Sequence, residues 1–218
     1  ADEVWETDMG DVIYERDMDN GMAVLSYPLE DSDNRGEVFL AGNHILLQFI
    51  TMTALILDAF AHTAEAVTGA AYGAKNRARF DRAVRLTTEF SGAFGVLCGV
   101  LIYTLGGLAL PLLSADPAVQ ESARTFLPFC ALAPIVGFAA WQLDGIFIGT
   151  TRTREMRNAG IAAVIIYIGL HYLLQPRLGG YGIWLAFLGY YVARAATLGY
   201  YYPALTQYLS ARHEHQTG

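Results

Sequence analysis

Ionisable residues inside long apolar stretches are the first feature of this chain that could do chemistry. Asp58 and Glu65 stand seven residues apart in one such stretch, and the same repeat carried backward reaches Thr51 and His44, with His62 one turn from Asp58. At 3.6 residues per turn, a spacing of seven returns almost to the same helical face. The outcome is a polar stripe on an otherwise apolar helix. Lipid would penalise it, so the stripe is expected to face the protein interior or water. A second run, Trp141-Gln142-Leu143-Asp144-Gly145-Ile146-Phe147-Ile148-Gly149, holds Asp144 as its single carboxylate with Gln142 two residues before it. A carboxylate in such a place loses its water and can take up a proton or bind a cation. For each of these residues taken singly, the structural alternative is interhelical hydrogen bonding that only holds a bundle together.

Neighbouring residues refine this picture. Pro134 lies ten residues before Asp144 and removes a backbone donor, which can bend a helix and free carbonyls toward a cavity. Gly145 and Gly149, four apart, make a small-residue face whose expected role is close helix packing. Cys98 and Cys130 sit in apolar stretches without metal-ligand spacing, so neither a disulfide framework nor a zinc site is expected. His213-Glu214-His215 could ligate a metal, but at a terminus a solvated role is expected. A membrane enzyme using Asp58, His62 and Glu65 is set aside, because no nucleophile, metal signature or substrate motif accompanies them.

The elements that must position these groups are membrane-spanning helices. A hydrocarbon core about 30 Å thick needs roughly 20 mainly apolar residues of helix. Windows of that kind run approximately over 44–72, 87–113, 125–150, 159–174 and 182–205. The fold class is therefore an all-α integral membrane protein of about five transmembrane helices. Cytoplasmic loops are enriched in Lys and Arg. Lys75, Arg77, Arg79, Arg82 and Arg85 follow the first span, and Arg152, Arg154 and Arg157 follow the third, so both loops are expected inside. The alternate loops hold only Arg124, beside Asp116 and Glu121, and Arg177. Arg212 then places the C-terminus in the cytoplasm and residues 1–40 outside.

Composition agrees with a membrane location: 54% of the 218 residues are hydrophobic and 16% charged, against roughly 25% charged in an average soluble domain. Charge divides the chain. Residues 1–40 hold twelve acids against Arg16 and Arg35, a net charge of −10, while the rest holds nine acids against twelve basic residues, a net charge of +3. Such asymmetry marks segments in different surroundings. Within 1–40, Glu3 to Tyr14, Met22 to Tyr27 and Val38 to Leu40 are expected to be extended, with a turn at Asp19-Asn20-Gly21 and a small β-hairpin as one outcome. The chain thus divides into an acidic segment 1–40, a membrane domain 41–210 and a tail 211–218. No signal-peptide pattern opens it, so insertion is expected to rely on the later apolar segments. No nucleic-acid partner and no cofactor are expected.

Two motifs carry a family resemblance. Leu57-Asp58-Ala59-Phe60-Ala61-His62-Thr63-Ala64-Glu65-Ala66-Val67-Thr68-Gly69, with Tyr72-Gly73-Ala74-Lys75-Asn76-Arg77-Ala78-Arg79 behind it, resembles the DinF-like branch of multidrug and toxic compound extrusion (MATE) transporters. So does Gln142-Leu143-Asp144-Gly145-Ile146-Phe147-Ile148-Gly149, followed by Thr151-Arg152-Thr153-Arg154-Glu155-Met156-Arg157-Asn158. The resemblance covers about residues 40–205 and implies helices eight to twelve of a twelve-helix, two-lobed fold. It implies a multi-pass protein of the cell inner (plasma) membrane that exports drugs or other organic, often cationic, compounds in exchange for protons or sodium. Asp144 would belong to its cation-binding region; Gln142, Asp58, Glu65, His62 and Thr51 stand beside it as coupling or substrate candidates from the residue pattern alone. The N-lobe and helix seven are absent from the chain. Alternating access moves one lobe against another, so five helices are expected to be inactive alone, whether a partner supplies the rest or the reading frame is truncated or misjoined. The other reading is a non-transporting membrane scaffold or regulatory fragment.

Overall fold

The structure, a computed structural model, describes residues 35–211. Each apolar window lies within one helix: α1 (Arg35–Gly73), α2 (Arg77–Leu113), α3 (Pro117–Gly149), α4 (Thr153–Leu178) and α5 (Gly180–Ala211). The helices outrun the apolar windows because polar residues extend them. Asn76 caps α2 by accepting from the Arg79 amide at 2.9 Å, and Arg77–Asp81 and Arg85–Glu89 pairs at 2.7 and 2.8 Å support its first turns. The cations read as a loop after the first span are therefore mostly the first turns of α2. Asp116 caps α3 in the same way, accepting from the Ala118 amide at 2.8 Å, with Pro117 at the first helical position. The single residue between α4 and α5 is Gly179, at φ 56° and ψ −131°, a conformation open to a residue without Cβ.

One expected strand is overturned. Val38 to Leu40 lie inside α1, which begins at Arg35 and runs unbroken into the first apolar window. The reason is continuity: Val38 and Phe39 pack on the same apolar cluster as Ile45 and Leu46, a contact that helical spacing allows. The other extended stretches assigned to residues 1–34, and His213-Glu214-His215, lie outside the described residues.

Helix α3 is central. It packs along α1, α2 and α5, while α4 leans mainly on α5. Half of its apolar window is buried inside the protein, against 17–28% for α1, α2 and α4, whose remaining apolar surface faces outward as lipid requires. Glycine permits these approaches: a Cβ on Gly145 or Gly149 would run into the backbone carbonyls of Ala61 or Glu65 on α1. The small-residue face expected at Gly145 and Gly149 is thus the α1–α3 seam. Four of the helices are long and apolar enough to cross a membrane. The fifth, α5, has 32 residues and carries Arg194 among its seven tyrosines, which lower its apolarity rather than its length.

Apolar packing is divided in two. One cluster gathers Ile45, Leu46, Leu110, Phe126 and Trp184 near the start of α1, and the other gathers Ala71, Phe80, Phe147, Leu198 and Leu205 near its end. Both cysteines are buried and free, and the Cys130 thiol donates to the Leu46 carbonyl at 3.4 Å.

Candidate functional site

Between the two apolar clusters lies a layer of charged and polar side chains, and its centre is an ion pair. Asp144 on α3 accepts from Arg194 on α5, Nη2 to Oδ1 at 2.7 Å. The two side chains are 26% and 12% exposed, so the pair is largely shielded. The other terminal nitrogen, Nη1, donates to the Met156 carbonyl on α4 at 3.3 Å. Gly160 makes room for it, since a Cβ there would stand 2.5 Å from Nη1. One guanidinium therefore joins α3, α4 and α5.

Asp58 on α1 completes the layer. It is half-buried and lies within electrostatic range of both Asp144 and Tyr191. It makes no hydrogen bond or ion pair among the described residues. The two carboxylates and the arginine carry formal charges that leave one negative charge, and only Asp144 of the two is paired among the described residues. A single monovalent cation or proton would cancel that charge.

The remaining candidates do not converge there. Gln142 is 2% exposed but sits two residues from Asp144, on the opposite side of α3, where Nε2 donates to Thr87 Oγ1 on α2 at 2.5 Å. Its Oε1 and the nearby Ser91 hydroxyl make no hydrogen bond among the described residues. The stripe on α1 splits. Thr51 is exposed and donates to the Leu47 carbonyl of its own helix at 2.9 Å. His62 and Glu65 pair with each other at 3.4 Å, at 78% and 37% side-chain exposure. A seven-residue repeat drifts about 20° per heptad on a straight helix, and the glycine seam turns Leu57, Ala61 and Ala64 toward α3. Asp58 is left at the flank of that seam, and its companions face away.

Arg194 escaped the sequence reading, although a signal was present. It is the one charged residue in the apolar run 182–205. A lone arginine at that depth requires an anionic partner, and the candidates were Asp58 and Asp144.

A string of rings leads from this layer toward the start of α1. Trp141 lies 4.8 Å from Tyr191, Tyr191 lies 5.2 Å from Phe187, and Phe187 lies 5.9 Å from Trp184, centroid to centroid. Phe187 and Trp184 line an open groove of about 810 Å³, together with Phe39, His44 and Tyr167. Trp184 is held by donating Nε1 to Asn43 Oδ1 at 2.9 Å. The groove offers aromatic faces with Glu37 at its edge, a combination suited to an organic cation.

Long apolar helices around a shielded charge layer define a polytopic membrane protein. Residues 33–173 match the MatE family, and the chain belongs to that family of transporters. Over 163 residues it is 34% identical to the DNA damage-inducible protein F of Escherichia coli (strain K12), a match covering 75% of this chain and 35% of that protein. In fold it is similar to the crystal structure of the eukaryotic MATE transporter AtDTX14, with a TM-score of 0.73, 17% identity, and coverage of 83% of this chain and 42% of that one. It is also similar to an inward-facing multidrug resistance MATE family transporter of the MOP superfamily, with a TM-score of 0.61, 16% identity, and coverage of 80% of this chain and 39% of that one. The chain therefore spans between a third and a half of the length of these relatives.

Proposed function

We propose that this chain supplies part of the C-terminal lobe of a cation-coupled antiporter, in which Asp144, with Asp58 beside it, receives the coupling proton or sodium ion. The exported compounds are drugs or other organic, often cationic, molecules. The observation that carries this reading is the shielded Asp144–Arg194 pair where three long apolar helices meet, with the half-buried Asp58 on the neighbouring α1 making no hydrogen bond or ion pair among the described residues. Family membership supports the transport class. Gln142 keeps an unmatched buried acceptor at the α2–α3 contact, while Glu65, His62 and Thr51 stand apart from the layer. Two lobes must move against each other for alternating access, so the five helices act with a complementary lobe. A non-transporting scaffold is the second reading, favoured by the way Arg194 ties three helices together.

The test is export by a complete two-lobed transporter containing these helices. Inverted vesicles are loaded by a proton gradient and, separately, by a sodium gradient. Uptake of an aromatic cation under one of them is expected, and no gradient-driven uptake under either supports the scaffold instead.

The protein is proposed to lie in the cell inner (plasma) membrane with its C-terminus in the cytoplasm. Cysteines placed at Lys75 and Arg154 are then expected to react with an impermeant maleimide only from the cytoplasmic face, and one at Asp116 only from outside. Labelling of position 75 from the external face would overturn this orientation.

A further inference from the structure

Asp144 is already paired, and its partner is itself a cation. We infer, on the reading that Asp144 receives the coupling ion, that Arg194 is a tethered competitor for that site: its guanidinium holds Asp144 in the ion-free state and withdraws into a notch on α4 when the ion binds. Arg194 is thereby a positioning residue that sets how tightly the cation is held.

Three observations carry this. The guanidinium and an incoming cation need the same Asp144 carboxylate, and at 2.7 Å the charge-assisted contact leaves no space for an ion between them. A second resting place exists, because Nη1 already reaches the Met156 carbonyl at 3.3 Å and Gly160 presents no Cβ at that point. Space for withdrawal exists too: an open groove of about 500 Å³ is bounded by Thr153, Met156, Arg157, Gly160 and Arg194, and Asp144 is not part of its wall. The charged and titratable groups around the carboxylate are Asp58 from α1, Arg194 from α5 and, next to Asp58, Tyr191; α4 contributes the Met156 carbonyl. A competitor on the same molecule acts at a high effective concentration, which lowers apparent cation affinity and refills the carboxylate once the ion leaves.

The inference separates from the coupling reading in two arms. In the first, the full chain in nanodiscs is treated with a hydrophobic carbodiimide, and modification of Asp144 is quantified by mass spectrometry. Arg194→Gln is expected to raise it about fivefold or more by removing the guanidinium, Gly160→Ala to lower it by filling the notch into which the guanidinium withdraws, and Arg194→Lys to stay close to the parent. In the second arm, the complete transporter is assayed for the cation concentration giving half-maximal export. Arg194→Gln is expected to lower it about threefold or more, and Gly160→Ala, which closes the notch, to raise it. Gly160→Ala keeps every charge and meets only the end of a flexible side chain, so it decides the matter if Arg194→Gln does not fold. Unchanged Asp144 modification in Gly160→Ala and any folded Arg194→Gln would show that the guanidinium does not guard the carboxylate. An unchanged half-saturating concentration would show that it does not compete. If Asp144→Asn exports at the parental rate, the coupling reading fails by itself, and the labelling arm still reports on the pairing.

Discussion

Asp144→Asn in a complete transporter is expected to cut gradient-driven export by about tenfold or more, equivalent to about 1.4 kcal/mol of lost coupling, while the helices stay packed. The substitution keeps side-chain size and the Oδ1 acceptor that meets Arg194 at 2.7 Å, and it removes only the charge that a proton or sodium ion would neutralise. It also deprives the Arg194 guanidinium of its charged hydrogen-bond partner in a shielded place, with Asp58 as the remaining carboxylate of the layer, which has its own cost in stability. The double variant Asp144→Asn with Arg194→Gln is the control, since it removes both charges together. Export from inverted vesicles under proton and sodium gradients measures the first effect, and thermal unfolding in detergent measures the second. If the single variant exports at the parental rate under both gradients, Asp144 only holds helices together.

Gly145→Val is expected to have the largest effect on stability, about 3 kcal/mol, at the upper end of what inserted bulk costs in a packed core. A Cβ at this position meets the Ala61 carbonyl, carbon and Cα, all backbone atoms of the facing helix, so no rotamer change relieves it. The α1–α3 seam would have to open, and with it the approach of Asp58 to Asp144. Gly169→Ala on α4 is the matched control, because nothing lies within 4 Å of its added Cβ, and alanine improves helix propensity by about 1 kcal/mol. A melting temperature for Gly145→Val equal to that of Gly169→Ala would show that the seam is not close-packed. The same comparison at Gly149, where the added Cβ meets the Glu65 carbonyl, is expected to agree in sign.

The sequence by itself determined the five helices, while most of their ends lie beyond the apolar windows. A bilayer demands about 20 apolar residues for each crossing, and residues such as Asn76, Asp116 and Gly179 mark helix termini through local bonds or backbone freedom. Membership of the family was legible in the two motifs around Asp58 and Asp144, as was the packing role of Gly145 and Gly149. Val38 to Leu40 misled because β-rich composition over three residues is a local preference, and α1 overrides it by continuing through them. The tertiary structure decided which polar residues meet. A heptad count placed Thr51, Asp58 and Glu65 on one stripe, but their burial depends on where α3 lies, and only Asp58 turns toward the central layer. Periodicity reports the face of one helix and carries no information about the azimuth of its neighbours. For the same reason Gln142, two residues from Asp144, was grouped with it in sequence and lies across the helix from it in space. Arg194, fifty residues away, closes to 2.7 Å, because a buried charge takes its partner from whichever helix the packing brings alongside.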